Sequence, residues 1–433
     1  MRLFRGKGNL ARKPGLLTVL DVGSSKVTCV IARLRPSNKA YYLANRTHRV
    51  DVLGFGVQQS RGIKAGTIVD MDAAEQTIRL VVDAAEKMSG LVVDSLIVNF
   101  SSARMSSALI KAEINLDGRP VTPYEIKRVL AAASHKAFSF ERHILHSLPL
   151  CYTLDGEGGI ADPLGMMGEV LGVDVHVVHT DTVPLRNLEM CINRAHLTAA
   201  AVVATPFASG LAVLLEDEAR LGAACIDLGG GITSFSVFHD GKFVHGDALS
   251  IGANHITLDI ARGFSIAPQE AERLKVMHGA AFPADMDNHD MVRLEPLSGE
   301  YFDSQYPRTA LNRMVLARVE EILEMVRDQL NSSGFGHIVG KRLVLTGGGS
   351  QLTGIAEAAR RILGRHVRIG RPLGVSGLPS LAKGAAFSTV VGLLIYPQSA
   401  GFEEQVVQAA LAQLPQRASG PLQRVGQWLR ESF

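Results

Sequence analysis

An apolar run, an aspartate and a glycine-led turn occur twice in this chain, at Leu17-Thr-Val-Leu-Asp21-Val-Gly23-Ser24-Ser25-Lys26 and at Ala223-Ala-Cys-Ile-Asp227-Leu-Gly229-Gly230-Gly231-Ile232. Each turn opens into a second alternating run, through Val27, Cys29 and Ile31 in one copy and Thr233, Phe235 and Val237 in the other. Alternation at period two marks a half-buried strand, so the pattern predicts strand, tight loop and strand, made twice. A fold that satisfies it needs two sheets built on one plan. Glycine in the loop permits a sharp turn and the close approach of a ligand, with backbone N–H groups left to hold phosphate oxygens. The adjoining carboxylate suits a hydrated Mg²⁺, which takes one or two carboxylates and fills its shell with phosphate oxygens. Two such hairpins face to face would clamp a nucleoside triphosphate.

At 433 residues the chain exceeds what one ordinary core covers, and 46% apolar residues suffice for several. The formal charge of +3 is small for this length, and the basic residues form no stripe interleaved with aromatics, which argues against a nucleic-acid partner. Cys29, Cys151, Cys191 and Cys225 lack metal spacing, and Cys29 and Cys225 read as buried thiols within strands. No apolar run approaches the ~18 residues needed to cross a bilayer, and the charged start lacks a secretory core, so a cytoplasmic protein is expected.

Between the hairpins, Asp72-Ala-Ala-Glu75 reads as a capping box before a helix that carries Ile78, Val81, Val82, Ala85 and Met88 on one face. Thr122-Pro-Tyr-Glu125 reads as a second box. Strands are expected at 95–100, 106–114, 144–152 and 174–179, and helices at 185–196 and 207–221 around a strand at 199–204. After the second hairpin come a helix at 268–278, a loop-rich tract at 279–306 and the longest helix at 308–332. The strand 342–346 then runs into Gly347-Gly348-Gly349, where a helix start could meet a polar ligand. Residues 380–396 read as a closing helix.

Taken in order, the two Asp-Gly hairpins, the helix after Val203-Ala-Thr-Pro206 and the later Thr346-Gly-Gly-Gly349 turn resemble the actin, sugar kinase and heat-shock chaperone superfamily. Within it the chain resembles the FtsA family of bacterial cell division proteins over nearly its whole length. The local matches are Gly62-Ile-Lys-Ala-Gly-Thr-Ile-Val-Asp70, Gly252-Ala-Asn-His-Ile-Thr-Leu-Asp-Ile-Ala261, Ala271-Glu272-Arg-Leu-Lys275 and the final Trp428-Leu-Arg-Glu-Ser-Phe433. The resemblance implies an α/β, actin-like two-lobed ATPase fold with duplicated nucleotide-binding subdomains and an inserted α+β subdomain, 1C. The expected division is a basic tail at 1–14, subdomain 1A at 15–92 and 181–207, and 1C at 93–180. Subdomain 2A follows at 208–245 and 309–378, and 2B at 246–308. A closing helix at 379–396, a linker at 397–420 and an amphipathic helix at 421–433 complete it.

For the site, the resemblance implies that Gly23, Ser24, Ser25 and Lys26 contact the phosphates of ATP, with Asp21 and Asp227 placed around Mg²⁺ through water. Gly229, Gly230, Gly231 and Thr233 would cradle the other side, and Gly252 and Asn254 would border the phosphates, although Ala253 stands where the family commonly has glycine. Glu272 and Lys275 share a helical face; by spacing alone an exposed ion pair is the plainer reading, and the resemblance assigns them to the ribose. Gly347, Gly348 and Gly349 would pass the adenine or ribose. The segment Ala204-Thr205-Pro206-Phe207 offers no carboxylate to orient water, so slow hydrolysis at most is expected, with no catalytic residue assigned.

Leu422, Val425, Trp428, Leu429 and Phe433 are read as the apolar face of a helix lying in an anionic membrane surface. One such tail gives a weak anchor of about 100 μM, and several held together by a filament a firm one. The resemblance also implies self-polymerisation, binding of the C-terminal peptide of the tubulin-like FtsZ near Arg308 and Asn312, and recruitment of later division proteins through 1C. It places the protein on the cytoplasmic face of the inner membrane at midcell. The competing readings are a small-molecule kinase of the same superfamily and an actin-like pilus or shape scaffold.

Overall fold

The computed structural model describes residues 15–36, 46–138, 142–281, 290–293 and 305–399. The repeated hairpin is the centre of two large sheets with one topology. In the first, Leu16–Val22 pairs antiparallel with Lys26–Pro36, which pairs with His48–Gln59; on its other side it runs parallel to Ser95–Phe100, and that strand to Thr198–Ala204. In the second, Ala223–Leu228 pairs antiparallel with Thr233–His239 and then Lys242–Leu249. On its other side it runs parallel to Arg342–Thr346 and then His366–Ile369. Such strands are buried on both faces, which is why Ala223–Leu228 is buried at every position and reads as a continuous apolar run broken only by Asp227.

The first sheet carries the helix Met71–Ser89. Its cap is Asp70, whose Oδ1 accepts from the N–H groups of Asp72 and Ala73 at 3.1 Å, and Gly90 closes it at φ 68°. The expected box at Asp72 is therefore two residues late: Asp72 lies in the first turn, where an acidic side chain meets the positive end of the helix dipole. The second box holds. Thr122 Oγ1 accepts from the Tyr124 N–H at 3.2 Å, and Glu125 accepts from the Thr122 N–H at 3.1 Å. That helix, Pro123–Phe138, covers a separate four-stranded sheet ordered Ser106–Asn115, Val170–Thr180, His143–Leu154, Glu157–Ile160, with its own core around Val129, Leu130, Leu171 and Val175.

Residues 207–221 do not form one helix. Thr205–Val213 ends at Leu214, which is extended (φ −76°, ψ 137°), and Glu216–Leu221 begins anew. The cause is tertiary: Glu218 is buried, accepts from the Leu215 N–H at 3.0 Å and holds the Arg368 guanidinium. At 380–396 two short 3-10 turns, Ser380–Lys383 and Ala385–Phe387, precede a helix Ser388–Ser399, which extends into the expected linker. This last helix crosses Thr205–Val213 without clearance. A Cβ on Gly392 would stand 1.8 Å from the Ala208 carbonyl oxygen. The crossing pair lies between the sheets, joining the two lobes.

Candidate functional site

Both hairpin turns close alike. The Gly23 N–H donates to the Lys26 carbonyl at 3.1 Å and the Gly229 N–H to that of Ile232 at 3.0 Å. Asp21 sits opposite Thr28 and Asp227 opposite Ser234, so each carboxylate holds the equivalent place in its sheet. The loops meet tip to tip. A Cβ on Gly231 would lie 2.8 Å from Ser24 Oγ, and one on Gly230 would lie 3.0 Å from the Ser25 Cβ. Ser24 Oγ also accepts from the Gly66 N–H at 3.0 Å. A side chain at either glycine would push the lobes apart, which is the physical reason for the glycine run.

The third glycine turn arrives from the strand Arg342–Thr346. Gly347 has φ +83°, and a Cβ there would stand 2.2 Å from Asp227 Oδ1, so the position excludes any side chain twice over. Gly252 packs on the second hairpin: a Cβ would lie 2.6 Å from the carbonyl oxygens of Gly229 and Gly230. The helix that follows is pinned to the same loop, with the Ala253 N–H on Gly229 at 2.9 Å and the Asn254 N–H on Gly230 at 2.8 Å. Ala253 thus fits where a glycine was expected.

These three turns enclose a cavity of about 440 Å³. Asp21, Gly23, Ser24, Ser25, Lys26, Asp227, Gly229, Gly230, Gly231, Asn254, Glu272, Lys275, Gly347, Gly348 and Gly349 all line it. Two expected residues do not. Gly252 supports the second hairpin from behind, and Thr233 is wholly buried, while its neighbour Ser234 takes part in the lining. Lys275 is no surface residue: its side chain is 9% exposed, and Nζ donates to Glu272 Oε2 at 2.6 Å and Thr257 Oγ1 at 2.8 Å. Glu272 is 47% exposed at the rim, so the pair places one buried cation and one accessible carboxylate at one end of the cavity.

Asp21 and Asp227 line the same cavity. Burial lifts the Asp21 carboxyl to about 6, with Lys26 pulling it down and Asp227 adding to the rise. Burial also raises Asp227, against hydrogen bonds from Ser209 and Thr389. Two buried carboxylates share one lysine there, and Lys26 Nζ donates to the Ala386 carbonyl at 2.5 Å while lying 4.7 Å over the Phe387 ring. The donor set fits a divalent cation. Among the described residues no group of three or more His, Cys, Asp or Glu could hold a metal, so oxygens of a bound phosphate ligand would complete the shell.

Sequence reasoning missed the polar wall beside the carboxylates. Asn99, Ser101 and Thr205 line the cavity there. Asn99 Oδ1 accepts from the Val22 N–H at 2.6 Å, its Nδ2 donates to Thr205 Oγ1 at 3.1 Å, and the Thr205 and Ser101 hydroxyls are 2.6 Å apart. The one local signal was Thr205-Pro206 at a helix start directly after a strand. Arg308 and Asn312 lie elsewhere. Arg308 caps its surroundings from the surface, Nε donating to the His278 carbonyl at 3.0 Å and NH1 facing Asp290 at 3.4 Å. Asn312 is 1% exposed and its Oδ1 accepts from the Ala280 N–H at 2.9 Å, so it braces the interior and offers no surface to a peptide. Leu422, Val425, Trp428, Leu429 and Phe433 fall outside the described residues.

Comparison with known proteins bears on all of this. The family model described as cell division protein FtsA matches residues 224–392, and one described as the SHS2 domain inserted in FtsA matches 102–179, the four-stranded sheet with its helix. The chain is 52% identical over 425 residues to the cell division protein FtsA of Rhizobium meliloti (strain 1021), covering 98% of this chain and 96% of that protein. Among solved structures, the PilM-PilN type IV pilus biogenesis complex aligns at TM-score 0.61 and 15% identity, covering 91% of this chain and 98% of the other. MreB5 of Spiroplasma citri bound to ADP aligns at TM-score 0.52 and 12% identity, covering 89% and 96%. At those identities the likeness is one of fold, and the fold is the actin-like one.

Proposed function

The chain belongs to the FtsA family of cell division proteins, and on that premise we propose that it binds ATP with Mg²⁺ in the cavity between its lobes and polymerises in that state on the inner membrane surface. The observation that carries the reading is the meeting of three glycine turns around two buried carboxylates and Lys26. Backbone N–H groups of the hairpins suit phosphate oxygens, and the adjoining carboxylates suit the cation. Lys275 and Glu272 suit ribose hydroxyls as donor and acceptor. A bound Mg²⁺ would neutralise phosphate charge. The relative MreB5 is one whose structure holds ADP, which agrees with this use of the cavity.

Of the carboxylates that line the cavity, Asp21 and Asp227 are buried and Glu272 sits at the rim, while Asn99, Ser101 and Thr205 bring only amide and hydroxyl groups to the wall. Such a wall can orient a water but takes its proton poorly. Slow turnover follows, with the nucleotide acting as an assembly ligand.

In the same reading the segment 421–433 is an amphipathic anchor, 1A, 1C, 2A and 2B divide the chain as set out above, and the inserted sheet receives later division proteins. Arg308, at the surface start of the long helix, meets the FtsZ peptide. Among the described residues no helix is long and apolar enough to cross a membrane. Co-sedimentation with anionic vesicles tests the reading, with and without ATP–Mg²⁺, for the full chain and a chain ending at residue 420. Pelleting that needs the tail and rises with ATP supports it. If both versions stay in solution, the anchored adaptor is refuted and a kinase of the same fold becomes the better account.

A further inference from the structure

The sequence gives no hint of a role for Ser209 or Thr389. One is a small residue within the apolar helix Thr205–Val213, and the other stands in the first turn of the closing helix Ser388–Ser399. In the fold they converge, from the two crossing helices, on one oxygen of Asp227. Ser209 Oγ donates to Asp227 Oδ2, Thr389 Oγ1 donates to the same oxygen at 3.1 Å, and the two hydroxyls lie 3.0 Å apart. All three residues are buried. The other oxygen, Oδ1, lies against Gly347, whose missing side chain leaves it room.

A carboxylate with both donors on one oxygen is fixed in rotation, and its second oxygen then stands at one defined place on the cavity wall. Mg²⁺ demands near-octahedral placement of its ligands, and a site loose by more than about 0.5 Å loses much of its function. We propose that Ser209 and Thr389 are positioning residues for the divalent cation: they hold Asp227 at the angle the cation complex needs, and so set how much Mg²⁺ nucleotide binding requires. This rests on the reading of the cavity as a Mg²⁺–nucleotide site. It goes further in assigning the cation requirement to two hydroxyls on the helices that join the lobes.

A plain structural role predicts something else. If the hydroxyls only satisfied a buried charge, their loss would lower stability and weaken ligand binding in all conditions alike. Positioning predicts a loss confined to the cation step. The full chain and its Thr389→Val, Thr389→Ser and Ser209→Ala variants are to be titrated with a fluorescent ATP analogue at graded Mg²⁺ and again in EDTA, with ligand-free melting curves alongside. In Thr389→Val and Ser209→Ala the Mg²⁺ concentration for half-maximal binding should rise about tenfold, which corresponds to about 1.4 kcal/mol. Affinity in EDTA should move less than about twofold, and Thr389→Ser, which keeps the hydroxyl, should restore the original midpoint.

An unchanged Mg²⁺ midpoint in both Thr389→Val and Ser209→Ala overturns the proposal, as does an equal loss with and without Mg²⁺. Should Thr389→Val fail to fold, Ser209→Ala and Thr389→Ser carry the same comparison. If the unaltered protein binds no nucleotide, or binds it without regard to Mg²⁺, the reading of the cavity falls first. That result is seen in the unaltered chain and is told apart from a failure of positioning alone.

Discussion

Replacing Asp21 with asparagine should make the ligand-free protein more stable at neutral pH while impairing its use of Mg²⁺. Burial lifts the Asp21 carboxyl from 3.8 to about 6, because the charged form loses water and has Asp227 beside it, with Lys26 compensating in part. A carboxyl whose folded pKa is raised holds its proton more tightly in the fold than in the open chain. Its contribution to stability is therefore complete below 3.8 and is lost as the pH rises through about 6. Each pH unit between the two values is worth about 1.4 kcal/mol, so keeping Asp21 ionised in the fold costs on the order of 3 kcal/mol at neutral pH. Asp21→Asn keeps the shape and removes that cost. Urea unfolding in EDTA at about pH 7.5 should show the variant more stable by about 2–3 kcal/mol, and at about pH 4 the difference should shrink toward zero. Adding ATP and Mg²⁺ should then raise the stability of the original protein more than that of the variant. A variant equally or less stable at about pH 7.5 in EDTA, or a difference that does not depend on pH, would refute the argument.

Three further outcomes are expected. Gly347→Ala forces a Cβ to 2.2 Å from Asp227 Oδ1 at φ +83°; it should cost about 1–3 kcal/mol of stability and weaken ATP binding more than about tenfold by calorimetry, and an unaltered affinity would remove the third turn from the site. Trp428→Glu, by placing a charge within the proposed anchor segment, should release the protein from anionic vesicles, and unchanged pelleting would sink the anchor. Arg308→Glu reverses the charge at the surface start of the long helix and should weaken capture of the FtsZ C-terminal peptide at least about tenfold by fluorescence anisotropy; an equal affinity would take Arg308 out of that contact.

What was legible in the sequence was local. An aspartate two residues before a glycine, with apolar alternation on both sides, announces its hairpin wherever it lies, and both copies fold with the same closing hydrogen bond. The start at Met71 was legible to within two residues, because Asp70 and Asp72 are equally good caps on paper and only the turn before Met71 decides between them, whereas the helix expected from 185 begins at Thr182 and the one expected from 380 becomes α-helical only at Ser388. The break at Leu214 was not legible. It contains no glycine or proline, and its cause is an ion pair between Glu218 and Arg368, 150 residues apart in the chain. The polar wall was hidden for a similar reason: Asn99, Thr205 and Thr389 come from three separate elements, each of which reads as ordinary core. Asn312 shows the converse, a residue one turn from a surface arginine that faces inward.

The contact between Gly392 and the Ala208 carbonyl has a mechanical consequence. Two helices that touch backbone to backbone cannot be pressed closer. One packs on the first sheet and the other on the second, so a side chain added at position 392 would be felt by both sheets as a forced separation.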